Sequence, residues 1–175
     1  MGDRTSYTIA VAGTDQAEDA YISRRLYDAI ETEESGDGHW VIYEHSVGAL
    51  DEIAEILNEV QRDLDNAFAF RVWEDPKYEW DGQWAGWIPG LGTSGGLCDG
   101  NGSTHVEVSE LRKLADEARQ RRRGTHPATG KQTHAGTVLT ALLRQLDALT
   151  RREWEDAWEA LMDKTPEADR EGAAA

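Results

Sequence analysis

The chain has 175 residues and a formal net charge of −16. That length suits one domain with a real core. No apolar run approaches the ~20 residues of a membrane span, and one cysteine excludes an intramolecular disulfide or a cysteine zinc cluster. The charge is uneven: residues 1–111 carry −17, residues 112–131 carry +5 and residues 132–175 carry −4. A surface this acidic repels nucleic acid over most of its area, which argues against a nucleic-acid partner.

Alternation in "YTIAVAG" (7–13) predicts a strand, and Ile22, Leu26, Ala29 and Ile30 share one face of a helix predicted over 15–33. "ESGDG" (34–38) reads as a turn. "HWVIYEH" (39–45) reads as a strand apolar on both faces, hence interior to its sheet. Ser46 is the expected N-cap of the clearest helix, where Leu50, Ile53, Ala54, Leu57, Val60 and Leu64 recur at helical spacing and Asp51, Glu52, Glu55 and Glu59 form the wet side. "NAFAFRVWED" (66–75) is a third strand, with Phe68, Phe70 and Val72 opposite Ala69, Arg71 and Trp73.

Residues 77–108 read as strands and turns, with hairpin turns at Asp81-Gly82 and at 99–102, and a last strand at 104–108. A helix opens at Ser109, with Val108, Leu111, Leu114, Ala115 and Ala118 inward. A polar loop follows at 121–136. Residues 137–162 are helical, with stripes Val138-Leu142-Leu146-Leu149 and Trp154-Trp158-Leu161 out of phase. The phase change and the capping box Thr150-x-x-Glu153 predict a kink or two helices meeting at Thr150. The expected fold is α+β: a β-α-β-α-β half, then an antiparallel hairpin region and C-terminal helices, on one mixed sheet. Residues 1–165 form the domain and 166–175 a disordered tail.

Three stretches approach known motifs. "GLGTSG" (90–95) matches G-x-G-x-x-G, but the following "GLCDGNG" cannot start the helix whose N-terminus would hold a pyrophosphate. "THPATGKQT" (125–133) lacks the first glycine and the Ser/Thr of a P-loop. Residues 99–110 place Asp99, Asn101, Ser103 and Glu110 at calcium-loop positions. Thr104 replaces the glycine, and an extended 104–108 would carry Glu110 some 20 Å away. The five histidines show no metal-ligand spacing, and Cys98 reads as a small packed residue beside a turn. Neither a cofactor, a metal nor a catalytic set is expected, and the reading leans towards a non-enzymatic protein.

Two features point to contacts. Trp73, Tyr78, Trp80, Trp84 and Trp87 crowd one hairpin, either as packing or as a partner surface. Arg121, Arg122 and Arg123 are either helix-terminal cations or a docking patch for phosphate or for an acidic partner surface. These eight residues are the candidate interaction surface.

The run "VWEDPKYEW" and Gly82, then "PGLG", "CDGNG" and a strand entering "SELRKLADEA", resembles small acidic proteins of actinobacterial phages over about 120 residues. The glycine-rich "GTSGGL" departs from that pattern. The resemblance implies an origin and a topology, and it carries no catalytic residues. The expectation is a phage-type accessory protein, cytoplasmic in a bacterial host and acting by protein–protein contact. A specific version is an acidic inhibitor of a host defence or nucleic-acid enzyme. The alternatives are an enzyme or small-ligand binder with a pocket formed by the hairpin with Arg71, His105 or Arg112, and a self-assembling structural protein.

Overall fold

The computed structural model describes residues 4–30, 33–36, 38–46, 48–76, 81–123 and 135–164. They form two compact units, Met1–Thr104 with Trp154–Ala175, and His105–Glu153.

The first unit is built on strands β1 (Arg4–Ala12), β2 (Glu33–Gly36), β3 (His39–Ser46), β4 (Ala69–Glu74), β5 (Gly82–Ile88), β6 (Gly92–Cys98) and β7 (Thr104–His105), the last of which straddles the boundary. Their order in the sheet is β2-β3-β1-β4-β5-β6-β7. Helices α1 (Gln16–Ile30) and α2 (Leu50–Leu64) follow β1 and β3. The α+β class with one sheet is what the sequence predicts. The sheet is not mixed, however: β2–β3, β1–β3, β1–β4, β4–β5 and β5–β6 all pair antiparallel. The reason is β2. Glu33 reads as the end of a helix and residues 34–38 as a turn, yet Glu33–Gly36 pairs with β3 and adds one chain reversal. The first half is therefore β-α-β-β-α-β with spatial order β2-β3-β1-β4, the split β-α-β or ferredoxin-like arrangement, extended by β5 to β7.

Alternation divides the sheet into two faces. Tyr7, Ile9 and Val11 of β1, Trp40 and Ile42 of β3, and Phe70 and Val72 of β4 are buried under Ile22 and Leu26 of α1 and Ile53, Leu57 and Val60 of α2. Trp40 Nε1 donates to Ser23 Oγ at 2.7 Å, tying α1 to β3. β3 is interior to the sheet, between β2 and β1, as expected, although Tyr43 on its reverse face is 60% exposed. On the opposite face Ala10 and Ala12 of β1 and Ala69 of β4 are small, beside Arg71 and Trp73. Small residues there admit large ones from the C-terminal helix α5 (Arg152–Met162), whose Trp154 and Trp158 are buried against Trp84, Ile88 and Cys98.

The helix ends show how local and distant residues share the work. Asp15 Oδ1 accepts from the N–H groups of Ala17 and Glu18, while Glu18 Oε2 accepts from the Asp15 N–H, which is a capping box at α1. The expected Ser46 cap of α2 does not form. The helix starts at Leu50, its N-cap Ala49 has no side-chain cap, and the Ala49 N–H donates to Tyr7 Oη at 3.1 Å. Tyr7 Oη in turn donates to Glu74 Oε1 at 3.3 Å. A tyrosine from β1 and a glutamate from β4 thus hold the start of α2.

The second unit contains α3 (Val108–Arg123) and α4 (Ala135–Leu149). Gln145 Nε2 donates to Glu117 Oε2 between them. Of the face expected to be inward on α3, Leu114 is buried, but Val108 and Leu111 are 60% and 40% exposed. The strand expected at 104–108 shrinks to two residues because α3 already begins at Val108. Two helices do meet at Thr150, as the phase change implies. The predicted capping box is absent: Thr150 Oγ1 donates back to the carbonyls of Leu146 and Asp147.

Candidate functional site: the hairpin and the groove beside α2

The glycines of the aromatic hairpin explain its tryptophans. Asp81-Gly82 is not the turn, because Gly82 opens β5 opposite Cys98. The turn is Pro89-Gly90: the Leu91 N–H donates to Ile88 O at 3.2 Å, and Gly90 has φ 82°. Proline sets φ before it and glycine supplies the left-handed residue. "GLGTSG" therefore runs from a turn into strand β6, not into a helix. Within β5, a Cβ at Gly86 would lie 2.7 Å from Phe70 O and 2.7 Å from the Trp154 ring. A Cβ at Gly102 would lie 2.7 Å from the Trp73 ring. These positions lack side chains because indoles lie against the backbone.

The candidate surface is accordingly redistributed. Trp84 is 2% exposed and belongs to the core, so it is corrected from contact residue to packing residue. Trp73 and Trp87 are half-buried, Trp73 against the α5-facing core and Trp87 against the core under α1 and α2. The split follows strand alternation, which sends Trp84 and Trp87 to opposite faces. Tyr78 and Trp80 lie outside the described residues. Arg121, Arg122 and Arg123 form the end of α3, and their side chains lie outside the described set. The loop holding "THPATGKQT" and the tail 166–175 lie outside it too.

Arg71, proposed as a pocket residue, is buried and committed. Its Nη1 and Nη2 donate to Glu155 Oε2 and Oε1 at 2.7 and 3.1 Å. Its guanidinium carbon sits 4.1 Å from the Trp84 ring centre and 5.4 Å from that of Trp154. The Trp84 and Trp154 rings are 4.6 Å apart. His105 and Arg112, the other proposed pocket residues, belong to the second unit.

Cys98 is 1% exposed, and burial pushes its thiol up to about 12. It is a weak donor to Glu74 O, and burial favours its protonated, unreactive form. Asp99 Oδ1 accepts from the N–H groups of Asn101 and Ser103, so its carboxylate closes a tight turn. Among the described residues no group of three His, Cys, Asp or Glu is placed to share a metal, and no helix is long and apolar enough to cross a membrane.

Glu74 is a buried carboxyl whose proton affinity is raised, mainly by desolvation and against the lowering effect of hydrogen bonds from Tyr7 and the Gly48 N–H. Burial raises the Tyr7 phenol as well, with the Glu74 charge adding to it. Both groups serve the start of α2.

Among the described residues there is also a concavity. A half-open cleft of about 690 Å³ lies between α2 and the neighbouring face of β5 and β6. Leu50, Asp51, Ala54, Glu55 and Asn58 of α2 form its wall. Ala85 of β5 and Gly95 of β6, directly opposite in register, form its floor. The cleft opens where α2 passes over β5, whose Trp87 still packs on the core under the helices while Ala85 leaves room beside it. The helix pattern marks Asp51 and Glu55 as solvent-facing, but nothing in the sequence places a sheet face beside them. Comparison of the chain with family models, with curated proteins and with solved structures finds no match.

Proposed function

We propose that the protein acts by protein–protein contact, as an acidic accessory protein of the phage type that docks on a basic surface of a host protein. The observation that carries this reading is the charge of the first unit, whose sequence holds 28 acidic and 8 basic residues, together with an open groove that has two carboxylates on its wall. Such a surface attracts and orients basic partners through long-range electrostatics. The specific version is occupation of the phosphate-binding surface of a defence or nucleic-acid enzyme. The resemblance to acidic phage proteins supports the setting. The burial of Arg71, Cys98 and Glu74 in structural roles supports a reading without catalysis.

The test is affinity capture from an actinobacterial lysate at about 50 mM and about 500 mM salt, a range over which exposed charge contacts are strongly screened. A basic protein retained at low salt and released at high salt is the expected result. Retention of nothing above a control resin overturns the reading. A second reading, small-ligand binding, is favoured by the cleft alone, whose volume lies within the range of ligand sites. A thermal-shift screen of cationic metabolites tests it.

A further inference from the structure

We infer that the groove beside α2 is a seat for a basic amphipathic helix of a partner protein. This rests on the protein-contact reading above and specifies its site and ligand. Three observations combine. The first is a helix with two working faces. Ile53, Leu57 and Val60 of α2 are buried on the sheet. Buried Leu50 and half-buried Ala54 and Asn58, each one turn from the next, form a stripe along the cleft wall at the margin of that core. That stripe is about 12 Å long at 1.5 Å per residue. Such i, i+4, i+8 rows are the ridges against which a neighbouring helix packs.

The second observation is a floor fitted for close approach. Ala85 and Gly95 face each other across β5 and β6, and Ala85 lies opposite Val72 of β4, so at this register the sheet steps down from a valine to one methyl group and then to none. A helix laid there completes the layer that α1 and α2 begin. The cleft is a half-open trough, whereas small-molecule sites enclose most of their ligand.

The third observation is charge. Asp51 and Glu55 lie one turn apart on the cleft wall, both exposed. Like charges at this spacing disfavour each other. Arg25, by contrast, answers Glu59 and Asp63 at 3.5 and 3.7 Å elsewhere on α2, while among the described residues no ion pair involves Asp51 or Glu55. Lys or Arg on the flank of an incoming helix would neutralise both, while its apolar stripe covers Ala54 and Ala85. The occupant is therefore a helix with Leu or similar residues at i, i+3/i+4 and i+7 and cations beside them.

The probe is a labelled 16-residue helical peptide of Leu, Ala and Lys with that pattern, followed by fluorescence anisotropy on the full chain. A scrambled peptide of equal composition is the control. Two variants report on the site. Ala85→Leu fills the floor, and Asp51→Asn with Glu55→Gln removes the wall charges. All three positions lie outside the buried core, and circular dichroism melts check that the variants fold. The expected result is micromolar binding of the patterned peptide, weakened about tenfold by scrambling and by each variant, a difference of about 1.4 kcal/mol. Equal binding of both peptides, or wild-type binding by both variants, overturns the groove while the broader protein-contact reading stands. Absence of binding at about 1 mM peptide also overturns it, and the lysate capture then judges the broader reading separately. Sizing chromatography without peptide is the last arm. A concentration-dependent dimer abolished by Ala85→Leu assigns the groove to a second copy and overturns the partner-helix proposal.

Discussion

Arg71 and Glu155, 84 positions apart, meet as a two-point ion pair whose cation lies against the Trp84 ring. The Arg71 side chain is 5% exposed and that of Glu155 21%. Removing one partner of such a pair strands a buried charge. Glu155→Ala is therefore expected to cost about 2–4 kcal/mol in urea unfolding. Arg71→Met combined with Glu155→Leu should cost less than Glu155→Ala alone, because no charge is left without its partner.

The glycines of the hairpin are unequal. Gly86→Ala must displace Phe70 O or the Trp154 ring and is expected to cost about 2–3 kcal/mol through overpacking. Gly90→Ala meets nothing within 4 Å and carries only the strain of φ 82°. It should cost about 1 kcal/mol. Chemical denaturation of the two variants side by side checks the order.

Glu74 ties stability to pH in a direction opposite to that of a salt-bridged acid. Burial raises its proton affinity in the fold above its ordinary 4.5. The folded state therefore holds the proton longer than the unfolded chain does, and the stability contributed by this group is present below about 4.5 and lost as pH rises through the folded value. Glu74→Gln keeps a group that can bond Tyr7 and the Gly48 N–H without the charge. The melting temperature of wild type relative to Glu74→Gln should fall as pH rises from 4 to 7. A constant difference across that range would contradict the assignment.

Cys98 should resist thiol reagents in the folded state and react at once when unfolded. Its sulfur is both buried and held protonated, with the thiol pushed up to about 12. Labelling by a disulfide reagent with and without urea separates the two states.

Much of this was written in single elements. The strict period of α2 and the alternation Phe68-Phe70-Val72 against Ala69-Arg71-Trp73 place these residues on their observed faces. What escaped depended on partners distant in sequence. The start of α2 is held by Tyr7 and Glu74, which no local pattern around Ser46 announces. β2 is made from turn-type residues because β3 supplies its hydrogen bonds, and missing it reverses the inferred direction of every later strand. Val108 and Leu111 obey helical spacing without being buried, since spacing states which residues share a face and not what covers it. The groove is the same lesson reversed: Asp51 and Glu55 read as ordinary solvent-facing acids until β5 and β6 are known to line a cleft with them.

Thr104 Oγ1 donates to Glu155 Oε1, so the chain leaves the first unit and rejoins it at one bonded spot. Residues 105–153 are in this sense an excursion whose two ends are already together. The sheet unit needs no long connector to bring Trp154 home. A variant in which a short Gly-Ser link replaces 105–153 should retain the sheet, its two cores and the groove. The chain then behaves as a cassette, in which the helical segment can be exchanged or lost while the acidic body persists.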